Sequence, residues 1–156
     1  MDMISHILLN NLVYQEMPMS QRWLAIAFGV LPDILAFIGV SKMSFLKKIL
    51  FFKRMPKDYF PKFVFVIYNI THSFIIWGVV FAALYLLAPT WIMIAWTGWG
   101  LHIFVDIFTH SSKATLATRI FWPISKFYFD GIVWSNKWFL LVSYAIMALL
   151  YWIFYF

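Results

Sequence analysis

The stretch Gly100-Leu101-His102-Ile103-Phe104-Val105-Asp106-Ile107-Phe108-Thr109-His110 constrains this chain more than any other. It closes an apolar run, residues 90–110, that is long enough to cross a bilayer, which takes about 20 residues in helical form. Positions i, i+4 and i+8 fall on one helix face, so His102, Asp106 and His110 point the same way. An ionisable side chain in hydrocarbon is costly and marks a functional site by default. Two imidazoles flanking a carboxylate are transition-metal ligands, with zinc the simplest occupant and manganese an alternative.

Hydrophobic residues make up 64% of the chain and charged residues 12%, a balance that excludes an ordinary soluble domain. It predicts an all-α integral membrane bundle, a single domain over residues 1–156. There is no cysteine, so a metal would have to be held by His, Asp or Glu. The net charge of +6 would suit a nucleic-acid partner, but the basic residues flank apolar segments, where membrane lipids with anionic headgroups are the expected partner. The start of the chain lacks a basic leader, and His6, Asn10 and Asn11 interrupt its apolar run, so a cleaved signal peptide is not expected.

Four segments, residues 20–40, 61–88, 90–110 and 138–156, are expected to be full transmembrane helices, with a short fifth helix over residues 3–16. Pro18 and Ser20 punctuate the first junction, Ser20 as an N-cap. Residues 41–60 mix Lys42, Lys47, Lys48, Lys53, Arg54 and Lys57 with apolar side chains, as an interfacial amphipathic helix would. Lys113, Arg119, Lys126 and Lys137 mark a second basic stretch. Together with Lys62, these regions hold every Lys and Arg except Arg22, so the positive-inside rule places loops 41–62 and 111–137 in the cytoplasm and Phe156 outside. No internal repeat suggests an inverted-repeat transporter.

A turn at residues 18–20 would fold the first two helices into a hairpin and return His6 and Asp33 to one depth. Counted from the nearest basic residue, Asp33 lies roughly 13 Å deep, His72 roughly 15 Å and Asp106 roughly 10 Å at helical rise. His6, Asp33, His72, His102, Asp106 and His110 thus share one slab and are the expected ligands. Six N/O ligands exceed the needs of one tetrahedral zinc and would suit two metals bridged by Asp106 or Asp33. Thr71, Thr109 and Ser5 precede histidines and are candidates to orient them. Lys113, Arg119 and Lys126 could hold a phosphate or headgroup, although topology alone accounts for them. Glu16 falls near the outer turn, and Asp2, Asp58 and Asp130 read as solvated, with Asp130-Gly131 a turn. Two other roles fit the same residues: a proton or metal-ion pathway, and a structural polar layer that ties helices together.

Leu31-Pro32-Asp33, Thr71-His72-Ser73, His102-xxx-Asp106-xx-Thr109-His110 and Phe121-Trp122-Pro123-Ile124-Ser125 follow one another in this order. The set resembles the bacterial family of membrane-bound metal-dependent hydrolases, and the resemblance runs from His6 to Ser125. The ligand order is also similar to that of zinc-dependent phospholipase C and related nucleases. By that resemblance Asp33, His72, His102 and Asp106 would hold a main zinc and His6 with Asp106 a second. His110 would serve a third site or support the ligands. Where the family carries a second acid after Pro-Asp this chain has Ile34-Leu35, and where it has His-Arg this chain has Ile67-Tyr68. No counterpart of the soluble enzymes' last His and Glu is evident, which points to one or two metals.

The function expected is a metal-dependent hydrolase of a phosphoester, such as a phospholipid headgroup, in a bacterial inner membrane. It would use metal-activated water, with Asp33 or Asp106 assisting proton transfer.

Overall fold

The computed structural model describes residues 1–38, 60–112 and 116–156. The amphipathic stretch 41–60 apart from Phe60, and with it Asp58, lies outside the described residues, as does Lys113. Among the described residues the protein is all-helical, with six helices and no strand: α1 Met3–Val13, α2 Met19–Phe37, α3 Lys62–Thr71, α4 Phe74–Leu87, α5 Thr90–Thr109 and α6 Lys137–Tyr155.

Three of these boundaries correct the sequence expectation. Residues 61–88 form two helices, α3 and α4, bent by 49° at His72–Ser73. The break has a local cause. Ser73 adopts an extended conformation, and its hydroxyl accepts from the N–H groups of Ile75 and Ile76, so it opens a new helix instead of continuing the old one. The Phe74 N–H donates to Ile120 O at 2.9 Å, and Trp99 Nε1 donates to Thr71 O at 2.7 Å, so outside partners satisfy backbone groups freed by the break. At the first junction the N-cap of α2 is Pro18 rather than Ser20, and no side chain caps that end.

The third correction concerns the spans. Two helices, α5 and α6, are long and apolar enough to cross a membrane, against the four expected; the bent α3–α4 pair makes a third if it counts as one span. The 19-residue α2 falls short because Ser20, Gln21, Arg22 and Asp33 dilute its apolar character.

Helix α5 is the axis of the bundle and packs on α2 and α4. Close approach of packed helices depends on small residues. Ala25, Ala36 and Ala95 are fully buried for that reason. Gly98 marks the closest point, since a Cβ there would lie 2.4 Å from the carbonyl oxygen of Ala25. On α2, Gly29 leaves room for the Asn10 side chain of α1, whose amide nitrogen would be 2.2 Å from a Cβ. Helix α1 packs on α2, so the expected hairpin is present. Trp96, Trp99 and Ile103 of α5 form a buried apolar cluster packed by Phe28, Leu31 and Leu35 of α2 and by Phe74 and Trp77 of α4.

Asp2 corrects another expectation, because it is buried instead of solvated. Its carboxylate caps α1 by accepting from the N–H and hydroxyl of Ser5 at 3.0 and 2.6 Å, and it accepts from Tyr144 of α6 at 2.8 Å. Burial opposes its charge, but these bonds outweigh it and hold the carboxyl below its usual range. The Ser5 hydroxyl is therefore committed to Asp2 and does not orient His6.

Candidate metal centre

Asp33 of α2, His72 at the end of α3, and His102 and Asp106 of α5 each offer one ligand atom within 4.8 Å of all the others. His72 Nε2 lies 3.6 Å from Asp33 Oδ1 and 3.5 Å from Asp106 Oδ2. His102 Nε2 lies 3.8 Å from Asp33 Oδ1, 3.3 Å from Asp106 Oδ2 and 3.0 Å from His72 Nε2. A tetrahedron of ligands 2.0–2.1 Å from a zinc ion has edges of about 3.3–3.4 Å, in the middle of this range.

The outer nitrogens fix the inner ones. His102 Nδ1 lies 2.8 Å from Gly29 O, and His72 Nδ1 lies 3.0 Å from Tyr68 O. A carbonyl oxygen only accepts, so both Nδ1 atoms carry the proton, and each ring in its neutral form turns an Nε2 lone pair inward. Two such lone pairs 3.0 Å apart repel unless a proton or a metal ion lies between them. Asp106 Oδ2 is buried without a hydrogen-bond partner and faces the same point. Two carboxylates and two neutral imidazoles carry a charge of about −2, which a divalent ion neutralises. The donor set therefore fits a divalent metal ion.

The other Asp106 oxygen serves a second group. Oδ1 lies 3.1 Å from His6 Nε2 and 3.5 Å from His110 Nδ1. The amino group of Met1 also contacts it, and lies 2.7 Å from Thr109 Oγ1. The other five side chains expected from the sequence thus gather around the carboxylate of Asp106, whose two oxygens face different histidines. His110 is the C-cap of α5 in an extended conformation, and its N–H still donates to Asp106 O at 3.1 Å, so its ring stays beside Asp106 as the spacing predicts. His6 still reaches the group because its ring stacks on His102 at 3.9 Å.

The supporting groups are partly those expected. Thr71 Oγ1 lies 2.9 Å from His72 Nδ1, and Thr109 Oγ1 lies 3.3 Å from Asp106 Oδ1. Sequence reasoning missed Tyr68, which stacks on His72 at 3.8 Å and bonds through its hydroxyl to Thr118 at 3.0 Å. Thr118 reaches Asp106 O at 3.4 Å. The i−4 spacing of Tyr68 from His72 was the available signal. Gly29 acts on the ligands only through its carbonyl, which no side-chain pattern reveals.

The other expected site residues stand apart. Arg119 is half-buried and Lys126 exposed, on the segment that follows α5, and neither pairs with the six candidate residues among the described contacts. Glu16 is exposed beyond the far end of α1. Asp130 is more tightly held than a solvated turn residue, since Oδ1 accepts from the Ser111 hydroxyl at 2.6 Å and the Ser112 N–H at 2.8 Å.

No protein-family model, curated protein or solved structure matches the chain.

Proposed function

We propose that this protein is a multi-pass membrane hydrolase that uses one or two divalent ions, zinc by preference, to cleave a phosphoester such as a phospholipid headgroup. The observation that carries the proposal is the pair of inward-facing Nε2 atoms of His72 and His102, 3.0 Å apart and flanked by two carboxylates. Zinc suits them because imidazole and carboxylate at tetrahedral spacing are its usual ligands. A bound ion would supply a Lewis acid and a water of lowered pKa.

The chain's own residues divide the remaining work. Asp106 is fully buried and has both oxygens turned to histidines, so it serves as the shared ligand. Asp33 is 16% exposed, the most open of the four, so substrate would enter on its side and Asp33 is the better placed to take a proton. The proposed setting is a bacterial inner membrane, with the basic segments cytoplasmic and α2 and the α3–α4 pair embedded beside α5 and α6.

The test is a screen of detergent-solubilised protein against phospholipids and soluble phosphodiesters. Hydrolysis should be abolished by chelation, restored by zinc or manganese, and reduced at least ~100-fold in Asp33→Asn. Turnover unaffected by chelator or by Asp33→Asn would refute the proposal.

A metal-ion or proton transporter is the second proposal. The 49° break beside His72 favours it, since broken helices line ion sites in transporters. Zinc or proton flux across proteoliposomes without hydrolysis would select it.

A further inference from the structure

We propose that residues 121–132 form a docking surface for the headgroup region of an anionic bilayer, on the side of the membrane where α5 ends. From residue 116 to residue 136 the backbone is neither helix nor strand, and irregular backbone cannot lie in lipid hydrocarbon. Yet Phe121, Ile124, Phe127, Tyr128, Phe129 and Ile132 are all exposed, Ile124 at 79%. An exposed patch of that apolar character on irregular backbone marks an interaction site. Aromatic rings mixed with cations suit the boundary between headgroups and acyl chains, and Arg119 and Lys126 supply the cations. The one acid of the stretch, Asp130, is engaged by Ser111 and Ser112.

The segment is tied at both ends to the walls of the metal centre. The Phe74 N–H donates to Ile120 O, and Ser73 Oγ donates to Trp122 O at 2.5 Å, which anchors it to the break that carries His72. The N–H groups of Gly131, Ile132 and Trp134 donate to His110, Phe108 and Thr109 carbonyls, each at 2.9 Å, which anchors it to the end of α5. At Gly131 the approach is close enough that a Cβ would lie 2.3 Å from Phe108 O. A surface held this way fixes the depth of His72, Asp106 and His110 relative to the headgroups. Docking does not depend on hydrolysis, so the two proposals fail separately.

The chain has no cysteine, so Ile124→Cys gives a single labelling site. This variant, carrying a fluorophore on the introduced thiol, would be reconstituted in nanodiscs of phosphatidylcholine with or without phosphatidylglycerol. Docking predicts quenching by lipids spin-labelled near the headgroup, weaker quenching by lipids labelled deep in the acyl chain, and protection from aqueous iodide. It also predicts severalfold stronger quenching by spin-labelled phosphatidylglycerol than by its phosphatidylcholine counterpart, a preference that Lys126→Gln reduces. Free quenching by iodide with none from spin lipids would overturn the proposal, placing the segment in water. Protection from both quenchers would also overturn it, in favour of cover by a second protein copy. Equal quenching by the two headgroups would overturn the anionic preference. A label at Leu141→Cys on α6 reports whether the protein is correctly inserted.

Discussion

Helices α5 and α6 are nearly equal in length and both are apolar enough to cross a membrane, yet half of the most apolar stretch of α5 is buried and only 6% of that of α6. Hydropathy explains why each would enter a bilayer but not why they occupy different places. Polar and small side chains make the difference. Helix α5 carries Gly98, which admits α2, and His102 and Asp106, which must find partners away from lipid. Helix α6 offers Tyr144 and Tyr151, which bond to Asp2 and to Leu8 O, and otherwise presents exposed apolar side chains. One helix organises the bundle; the other is held to α1 by a few hydrogen bonds.

That contrast can be broken most sharply at the ligands. Asp106→Ala removes the carboxylate that faces both groups of histidines, and metal affinity should fall more than ~100-fold, beyond the 10–100-fold range of supporting residues. Isothermal titration with zinc would show it. An α6 substitution such as Leu141→Ala should leave the affinity unchanged.

Packing gives the next effect. Gly98→Leu pushes a side chain into the Ala25 carbonyl and should cost about 1–3 kcal/mol or more in detergent-phase unfolding. Val142→Ala on exposed α6 should stay within about 0.5 kcal/mol. Equal losses at the two positions would erase the distinction between the helices.

Smaller changes sharpen the comparison. Thr71→Val removes the hydroxyl beside His72 Nδ1, and zinc affinity should drop about tenfold with unfolding unchanged. Asp2→Asn loosens the link between α1 and α6 and should cost about 1–2 kcal/mol. Because the Asp2 carboxyl is held below its usual value, its contribution is present at neutral pH and fades as the pH falls through and below the ordinary carboxylate range. The cost of Asp2→Asn should shrink in step; a cost independent of pH down to strong acid would contradict that link.

Much of the candidate centre is legible in the sequence because His and Asp in apolar helices stand out chemically. His102, Asp106, Asp33 and His72 were identified by residue type and shared depth, and the hairpin that returns His6 to the cluster by counting residues about Pro18. What stayed hidden depends on backbone. The break at His72–Ser73 falls in the polar stretch Asn69-Ile70-Thr71-His72-Ser73, where the residue types suit a buried site as well as a helix end, and only the capping serine marks the break itself. The burial of Asp2 depends on Tyr144, far away in the chain. The carbonyls of Gly29 and Tyr68, which set the histidine tautomers, belong to no side-chain pattern.

The central claim is that the four-ligand cluster holds a metal ion, and the most direct measurement is the metal content of the purified protein. Elemental analysis of wild type after incubation with zinc should find one or two ions per chain, and a folded His102→Ala variant should retain fewer. Wild type that remains metal-free after exposure to zinc and manganese would contradict the account.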